Sequence, residues 1–478
     1  MNHRQRARGP RWMLLPIETK VRELHGKCLL AAIATQSGIG VVLGDQRVLS
    51  RALHQLPLGV YVDKSASRTR TQFYRRLKSM GFGVVAWCEE GLVYRDKHAY
   101  QIERVSERSM KYTDVFFAWG EQQRADVLEV VPAAAGRIFN VGNPRFDVLK
   151  PAYRALFKKE VEQLRRRYGR FVLVNSNFSR FNHFRGETNV LETLRQRGVI
   201  KSVADETYYR GLRRHLGELF EGFAAVVPLL ARGFPDVTFV LRPHPSEDHN
   251  RWRELMSNLP NVTVIHEGSV VPWILAAEAV VHNCCTTGVE AFLLGRRTID
   301  FAPVTNAEYD SVLPRALSEI AHSSTELLGL LAQTLSNGDV KRRDSPDRQE
   351  LLARYVASAS QDTLASECII SILQSATAGE ATPSRALRVA RWLACCAFGL
   401  RVLAVNAARR LKRDGIMKAY TDQKFPGLSL DEVRKVMDAI AMARGTVPPQ
   451  VSAHSTLPSC YVISPSIVRV ESGRETLR

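Results

Sequence analysis

The sequence predicts an α/β protein built from two doubly wound, mostly parallel sheets. Short apolar runs, such as GVVLG at residues 40–44 and FVLVN at residues 171–175, alternate with helical stretches between residues 11 and 305. This alternation is typical of parallel sheets that carry helices on both faces. Residues 142–151 contain two prolines and follow one of the apolar runs, so we interpret them as the crossover between two domains.

The first domain is predicted over residues 11–150. Its strands are expected at residues 11–18, 40–44, 58–62, 83–87, 115–119 and 138–141, and its helices at residues 21–36, 67–80 and 121–130. The second domain is predicted over residues 151–374. Its strands are expected at residues 171–175, before His244, at residues 262–266, before His282 and at residues 298–301.

Other parts of the second domain are less regular in sequence. Residues 181–207 are polar and are predicted to be an irregular excursion over the cleft between the domains, whereas residues 212–232 read as a long helix. Beyond residue 306 the sequence shows few apolar runs of the kind that predict strands. Residues 375–384 are predicted to be a linker, and residues 385–478 a basic amphipathic helical segment with a weakly ordered tail.

The net charge of the chain is +19, from 67 Lys and Arg against 48 Asp and Glu. An excess of this size indicates nucleic acid, an anionic membrane surface or an acidic substrate as a partner. The sequence carries no zinc finger, RNA-recognition signature or clear recognition helix, so we expect no nucleic-acid partner.

The cysteines and the first residues indicate the compartment. The eight Cys follow no metal-ligand spacing, and four of them form the adjacent pairs Cys284-Cys285 and Cys395-Cys396. Residues 1–12 show no secretory signal. We therefore expect free thiols in a reducing cytoplasm, no metal site and no other cofactor.

Residues 385–418 concentrate positive charge, with nine Lys or Arg and a single acid, Asp414. The apolar run between the basic ends is interrupted by Arg401 and Asn406 and is shorter than the ~20 residues of a spanning helix. One interpretation is an amphipathic helix that lies in an anionic membrane surface. The other is a basic helix that packs on the protein itself.

Two loops at predicted strand ends suit an anion. LRPHP at residues 241–245 places His244 between two prolines, and Thr286, Thr287 and Gly288 begin a helix after the strand that ends at His282. A histidine, hydroxyl groups and the N–H groups of a helix start all donate hydrogen bonds, and ligands of α/β sheets bind at carboxyl strand ends. The alternatives are that His244 is a structural loop residue, that the threonines only cap the helix, and that His282 is a hydrogen-bonded core histidine rather than a second donor.

An acidic triplet, Glu89-Glu90-Gly91, follows the predicted strand at residues 83–87. At that strand end it would face the second domain across the cleft, and a carboxylate there suits a general base. A glycine beside it would let a substrate approach the backbone closely. The alternative is a solvated acidic turn.

These motifs resemble those of bacterial surface-carbohydrate biosynthesis proteins of GT-B type and, more distantly, of the transferases that use CMP-activated sialic acid or Kdo. The transferases share two acids and Gly, then His-Pro, then a hydroxyl pair at a helix start, which here read Glu89-Glu90-Gly91, His244-Pro245 and Thr286-Thr287. LLPIET, GNPRFD, LRPHP, TTGVEA and, at residues 424–429, KFPGLS are similar to the surface-carbohydrate family. One departure is Cys284-Cys285, where the related sequences often have Ser before the hydroxyl pair.

The resemblance implies two Rossmann-like domains that face each other across a cleft. It implies transfer of an acidic sugar of Kdo or nonulosonate type from a CMP-activated donor to a glycan or lipid-linked acceptor, at the cytoplasmic face of the inner membrane. Glu90 would be the base, with Glu89 and Gly91 on the acceptor side. His244, Pro245, Thr286, Thr287 and Gly288 would bind the phosphate, and Glu267 the ribose hydroxyls, unless it is only an exposed loop residue.

Three alternatives remain open at the level of sequence. The first is a transferase whose donor is a nucleoside-diphosphate sugar or CDP-glycerol, since an RPHP-like loop also suits these donors. The second is a sugar-nucleotide epimerase, which shares the architecture. The third is a catalytically silent scaffold that binds nucleotide or glycan within an assembly complex.

Overall fold

The structure, a computed structural model, describes residues 11–94, 96–186, 188–337, 345–359, 362–376, 389, 393–394, 396–399 and 424–465. The chain forms two compact units. The first comprises Met1–Val62, Ser79–Phe82 and Ser366–Arg478, and the second Asp63–Lys78 and Gly83–Ala365. The strands belong to two sheets, one of eight strands and one of six.

Strands and helices alternate along most of the chain. The strands are, in chain order, β1 (Trp12–Ile17), β2 (Gly40–Asp45), β3 (Val60–Asp63), β4 (Gly83–Trp87), β5 (Val115–Ala118), β6 (Ile138–Asn140), β7 (Phe171–Asn175), β8 (Thr238–Arg242), β9 (Val262–Val264), β10 (Ala279–His282), β11 (Arg297–Phe301), β12 (Glu319–Ala321), β13 (Gln450–Ala453) and β14 (Cys460–Ser464). The α-helices of the described residues include, in the same order, α1 (Lys20–Gln36), α2 (Gln46–Arg51), α3 (Thr71–Ser79), α4 (Lys97–Arg104), α5 (Glu107–Met110), α6 (Glu121–Val130), α7 (Pro144–Asp147), α8 (Lys158–Tyr168), α9 (Thr188–Gln196), α10 (Val203–Gly233), α11 (His249–Leu255), α12 (Val270–Ala276), α13 (Thr286–Leu293), α14 (Val312–Ala316), α15 (Ser324–Asn337), α16 (Pro346–Tyr355), α17 (Ala365–Ala376) and α18 (Leu430–Arg444).

The strands of the first unit are ordered β13-β14-β2-β1-β3. β1 lies parallel to β2 and β3, whereas β14 runs antiparallel to β2 and to β13. β2 is buried along its whole length, and β1 everywhere except at Trp12. Parallel strands covered on both faces give such continuous apolar runs, which is why the sequence predicted them well.

The second unit contains β4-β5-β6 and the six-stranded sheet, ordered β12-β11-β10-β7-β8-β9. All strand pairs of the six-stranded sheet for which a register is defined are parallel. The chain builds outward from β7 through β8 and β9, and then returns to the other side of β7 for β10, β11 and β12. Strand order therefore reverses between β7 and β10, and ligands of open α/β sheets bind at such a point. The predicted fold class, two mostly parallel sheets with helices, is confirmed.

Several predicted details are wrong or incomplete. Residues 181–207 are not a single irregular excursion, because α9 and the first turns of α10 lie there. α10 starts well before residue 212, since Ser202 and Asp205 form a reciprocal capping box that fixes its first turn. A further strand, β12, lies beyond residue 306. The predicted weakly ordered tail contains β13 and β14, and this hairpin pairs with β2.

The two units also divide the chain differently from the predicted boundaries at residues 150 and 374. Residues 83–150 have their densest contacts within the second unit; Ala99, for example, belongs to the hydrophobic core of the six-stranded sheet. Most of the segment predicted to lie on a membrane, residues 385–418, lies outside the described residues. Among the helices that the structure describes, none combines the length and the apolarity needed to cross a membrane.

Candidate functional site

The point at which the order of the six-stranded sheet reverses is the centre of the candidate site. Asn175, the last residue of β7, lies in register with His282 at the end of β10 and with Arg242 at the end of β8. The loops that follow β8 and β10 carry His244 and the pair Thr286-Thr287, respectively. The structure thus brings these predicted anion-binding residues to neighbouring strand ends.

The turn between β10 and α13 leaves the helix start uncapped. Cys284 has a positive φ of 56°, an unusual conformation for a residue with a side chain, and its N–H donates to Asp300 Oδ1 at 2.9 Å. No side chain caps α13. Within the described part of the chain, neither the N–H nor the hydroxyl of Thr286 has a hydrogen-bond partner. The N-terminus of α13 therefore has donors available for an anion.

Thr287 and Gly288 have different roles at this helix start. Thr287 Oγ1 accepts a 2.9 Å hydrogen bond from Asn175 Nδ2, which joins the helix to the end of β7. Gly288 is buried, and a Cβ at this position would lie 2.3 Å from His282 Nε2. His282 itself is fully buried and hydrogen-bonds Ser318 Oγ at 2.9 Å, so it is the core histidine of the two sequence interpretations. Gly288 thus allows α13 to pack closely against His282, and it has no side chain with which to bind a ligand.

The His244 loop is organised by a buried acid, Glu247. Its carboxylate accepts hydrogen bonds from the N–H of His244, the N–H of Phe178, the hydroxyl of Ser176 and the indole of Trp252, at 2.8–3.1 Å. Burial is the largest influence on this group and raises the pKa of Glu247. Four donors on one carboxylate hold the loop in a single conformation beside β7.

The same loop sets the tautomer of His244. Ser246 N donates to His244 Nδ1 at 3.2 Å, so a neutral ring carries its proton on Nε2. The carbonyl of His244 is in turn hydrogen-bonded to His249 Nε2 at 3.0 Å. His244 is half-buried, and Pro245 beside it is also half-buried. His244 Nε2–H is the group suited to donate to a phosphate.

Two further side chains hold the loop from below. Arg242, which is 6% exposed, donates from Nη2 to the carbonyls of Glu267 and Gly268, and burial lowers its pKa to about 10. His266 Nδ1 lies 2.9 Å from the carbonyl of Pro243. Burial, with the nearby charge of Arg242, lowers the pKa of His266 to about 3, so the ring is neutral and donates to that carbonyl.

The acidic triplet follows β4, in the same unit. Glu89 is buried and accepts a 2.7 Å hydrogen bond from Trp87 Nε1. Glu90 is half-exposed and pairs with Arg104. A Cβ on Gly91 would lie 1.9 Å from Gln123 Nε2, so close packing explains the glycine without a substrate. Of the three, Glu90 alone exposes a carboxylate that a substrate hydroxyl can reach.

Glu267, predicted to contact the ribose, has an exposed side chain. Its side chain is 61% exposed and lies 3.6 Å from Arg167, whereas its backbone carbonyl accepts from Arg242 and Trp273. An ordinary exposed loop acid, the alternative interpretation of the sequence, describes this geometry; a ribose contact stays a prediction.

The GNPRFD segment contributes a contact that its sequence did not indicate. Arg145, in this segment, pairs with Glu290 on α13 at 2.5 Å, and Glu290 is almost completely buried. Asn143 accepts from the N–H of Arg145 at 3.0 Å and so starts α7. The segment thus supports α13 from the side, one turn beyond Thr286.

Sequence reasoning missed a second supporting network. Arg315 pairs with Asp300 at 2.9 Å and with Asp310 at 2.5 Å, and Asp310 hydrogen-bonds the buried His215 at 2.9 Å. Asp300 also holds Cys284, so the network determines the turn before α13. These acids lie at strand ends and in loops, where a sequence does not show which basic side chain each of them will contact. For Glu247, the one available signal was its position three residues after His244.

Within the described ranges, no group of three or more His, Cys, Asp or Glu is arranged to hold a metal ion. The candidate site offers hydrogen-bond donors beside the end of β7 and a partly exposed carboxylate, Glu90, after β4.

The chain matches no protein-family model, and no curated protein matches it. It is similar to solved structures. One is the UDP-GlcNAc 2-epimerase of Neisseria meningitidis bound to UDP-GlcNAc, at 14% identity and a TM-score of 0.46, covering 76% of this chain and 100% of that one. Another is the wall teichoic acid polymerase TagF soaked with CDPG, at 10% identity and a TM-score of 0.45, covering 77% and 88%. A third is HepE of Anabaena in complex with UDP-glucose, at 12% identity and a TM-score of 0.39, covering 77% and 99%. At these identities the similarity concerns the fold alone.

Proposed function

We propose that this protein is a transferase that uses a nucleotide-activated donor, in the assembly of a bacterial surface polysaccharide. The carrying observation is the start of α13, where the N–H and the hydroxyl of Thr286 have no hydrogen-bond partner within the described residues. The loop that carries His244 follows β8, the neighbour of β7 on the other side from β10. Leaving groups of nucleotide donors are phosphates, on which negative charge grows as the bond to the sugar breaks. Preorganised donors at that position stabilise the transition state more than the ground state.

Glu90 supplies the other half of the reaction in this proposal. Transfer to a hydroxyl requires removal of its proton, and Glu90 exposes a carboxylate at the end of β4. Its partner Arg104 orients that carboxylate, while Glu89 is engaged by Trp87 and supports the turn. The acceptor would be a glycan or a lipid-linked sugar, as the resemblance to surface-carbohydrate proteins implies.

The donor nucleotide has two candidates. The order of the acidic triplet, His-Pro and hydroxyl pair indicates a CMP-activated acidic sugar. A nucleoside-diphosphate sugar or CDP-glycerol is the alternative, because the contacts at α13 recognise phosphate and carry no information about the base. A panel of CMP, CDP, UDP and GDP separates these candidates.

The first prediction concerns nucleotide binding. At least one nucleotide of the panel should raise the melting temperature of the wild-type protein, since a ligand at 100 times its Kd stabilises the folded state by about 2.7 kcal/mol. His244→Ala should reduce the shift strongly. His454→Ala, a half-buried histidine in the β13–β14 hairpin, is the matched control and should leave it unchanged. No shift with any nucleotide would contradict the proposed function, and a shift with UDP equal to that with CMP would exclude the CMP donor.

The second prediction separates binding from chemistry. Glu90→Gln should keep the nucleotide-induced shift and lose transfer by a factor of about 10²–10⁴, the usual contribution of a general base. Transfer is measured as release of the nucleotide from the donor that gives the largest shift. A Glu90→Gln variant with most of its activity would show that the base is another group.

Peripheral attachment to an anionic membrane belongs to the same proposal. Its support is the sequence of residues 385–418, where each basic residue near such a surface contributes about 1 kcal/mol. The test uses the full chain with Arg409, Arg410, Lys412 and Arg413 changed to Gln, and liposomes with and without anionic lipid. Loss of sedimentation with anionic liposomes is expected, and unchanged sedimentation would remove the proposed anchor.

A further inference from the structure

A cavity of about 210 Å³ lies in the second unit, next to the acidic triplet in sequence. Leu92 and Tyr94, which follow Gly91, form part of its wall, and Gln122 and Asp126 of α6 form another part. Ser311, from the loop after β11, and Tyr355, at the end of α16, add two hydroxyl groups to the lining. Drug-sized ligands occupy about 300–1,000 Å³, so this cavity suits a single small ring.

Two hydroxyl groups of the cavity lining have no hydrogen-bond partner in the part of the chain that the structure describes. Ser311 is 6% exposed, and its hydroxyl has no hydrogen-bond partner among the described residues. Nor does the structure show a partner for the hydroxyl of the half-buried Tyr355 within those residues. A buried hydroxyl without a partner costs about 1–3 kcal/mol, so its presence in a cavity wall indicates a ligand or water that bonds to it.

The remaining polar lining is acidic. Asp126 accepts from the hydroxyl of Tyr94 and, at 3.2 Å, from Gln122 Nε2, which leaves part of its acceptor capacity unused. Neither Asp126 nor Glu308, which also lines the cavity, has an ion-pair partner in the described structure. The lining cation, Lys97, is half-exposed and pairs with Glu129. An anionic ligand would therefore be repelled, whereas hydroxyl groups would find both donors and acceptors.

We propose that this cavity is the subsite for the acceptor, and that it takes an uncharged sugar ring with free hydroxyl groups. The role of the cavity as an acceptor subsite rests on the proposed transfer reaction. The assignment of an uncharged sugar ring rests on the lining residues alone. Tyr94 stacks on Tyr100 at 4.2 Å between ring centroids, which holds the aromatic ring as a fixed wall for a sugar. Leu92 and Tyr94 follow Glu90 and Gly91 directly in the chain, so we assign the reacting hydroxyl of the sugar to the side of the cavity nearest Glu90 in sequence, the proposed base.

The loop that carries Ser311 is also tied to the donor side. The carbonyl of Ser311 accepts from Cys284 Sγ at 2.9 Å, and Asp310 beside it pairs with Arg315. Ser311 thus lines the cavity, and its backbone carbonyl also supports the turn that begins α13. One loop thus contributes both to the cavity wall and to the turn before α13.

The test measures sugar contact by saturation-transfer difference NMR on the full-length protein. Methyl glucoside and methyl glucuronide are a matched pair that differ in charge, and the first should give a signal that the second lacks. The variant with Ser311→Ala and Tyr355→Phe should weaken the binding of methyl glucoside about fivefold or more, as expected for two lost hydrogen bonds. The control variant with Ser257→Ala and Tyr112→Phe changes an exposed and a half-buried residue outside the lining and should bind normally.

The nucleotide-induced melting shift of the same variants separates this proposal from the proposed function. The cavity variant should keep the full shift. If the wild-type protein shows the nucleotide-induced melting shift but no contact with methyl glucoside, the acceptor subsite alone is overturned. Equal contact with methyl glucoside in the wild-type protein and the cavity variant has the same consequence. A stronger signal from methyl glucuronide overturns the uncharged-ligand assignment. Absence of the nucleotide shift in the wild-type protein counts against the proposed function and leaves the sugar measurement to be judged separately.

Discussion

Glu247 determines the conformation of the His244 loop through hydrogen bonds to residues from three different segments. Ser176 and Phe178 follow β7, His244 follows β8 and Trp252 belongs to α11. The sequence indicated His244 from its position between two prolines, but it did not indicate Glu247, because an acid in a polar loop usually faces solvent. The donors that make its burial tolerable come together only in the folded chain.

Replacement of Glu247 tests this role. Glu247→Gln keeps the shape but has one acceptor oxygen where the carboxylate has two, so buried donors lose partners. We expect the free energy of unfolding to fall by about 1–3 kcal/mol and the nucleotide-induced melting shift to decrease. Glu254→Gln, an exposed glutamate on α11, is the control in the same denaturation series and should differ little from wild type. Equal effects of the two substitutions would contradict the role given to Glu247.

His266 makes the stability of the protein sensitive to mild acid. Its pKa in the folded protein is about 3, against an ordinary value of 6.5. Because the folded pKa is depressed, the stabilisation is present above pH 6.5 and is lost as the pH falls and the unfolded chain takes up the proton. Between pH 6.5 and pH 5 the loss is about 2 kcal/mol. His266→Asn should remove that part of the pH dependence, measured by urea unfolding at pH 7 and pH 5; equal pH dependence in both proteins would refute this explanation.

At the scale of elements, α13 shows how packing overrides helix propensity. Alanine is normally about 1 kcal/mol better than glycine inside a helix. At Gly288, however, a Cβ would lie 2.3 Å from the ring of His282, which Ser318 holds in place. Gly288→Ala should therefore destabilise the protein by about 1–3 kcal/mol. Gly136→Ala meets no atom within 4 Å and serves as the control, with a melting temperature expected at or slightly above that of wild type.

The same scale explains which elements the sequence could predict. β1, β2, β7, β8 and β10 are buried runs of apolar residues, and their prediction is confirmed. β12 has only three residues and β13 is largely exposed, so neither gives an apolar run, and the prolines around β14 obscured that strand in the sequence. The strand–loop–helix patterns predicted that His244 and Thr286 follow buried strands, and their binding of phosphate stays a prediction. The Arg315 network and the cavity at Ser311 depend on loops whose contacts no local pattern encodes.

At the scale of the whole molecule, the segment from Lys424 to Pro465 is part of the first unit. Val433, Met437 and Ile440 of α18 are fully buried, and β14 pairs with β2 over four residues. Lys20 also pairs with Glu432 at 2.7 Å, which joins α1 to α18. The interior of the first unit therefore requires residues from both ends of the described chain.

Truncation after Gly379 should therefore prevent the first unit from folding. Removal of β14 leaves an unpaired edge on β2, and removal of α18 exposes apolar surface, so we expect aggregation in place of a smaller soluble protein. Truncation after Pro465 keeps these elements and is the control. Soluble yield and elution volume on size exclusion are the measurements, and a monomeric, folded product ending at Gly379 would disprove the structural role.

The pairing of β14 with β2 also constrains how the protein is made. These strands are neighbours in the sheet, yet the ribosome synthesises β14 more than 400 residues after β2. At about 5–20 residues per second, a nascent chain holds β2 without this partner for at least some 20 seconds. The antiparallel partner of β2 is thus added long after β2 itself, and this edge of β2 must be kept from pairing with other strands in the meantime. A reporter domain fused directly behind residue 465 would fold while β14 is still pairing with β2, and it could hinder that pairing sterically. A tag placed before β1 avoids this.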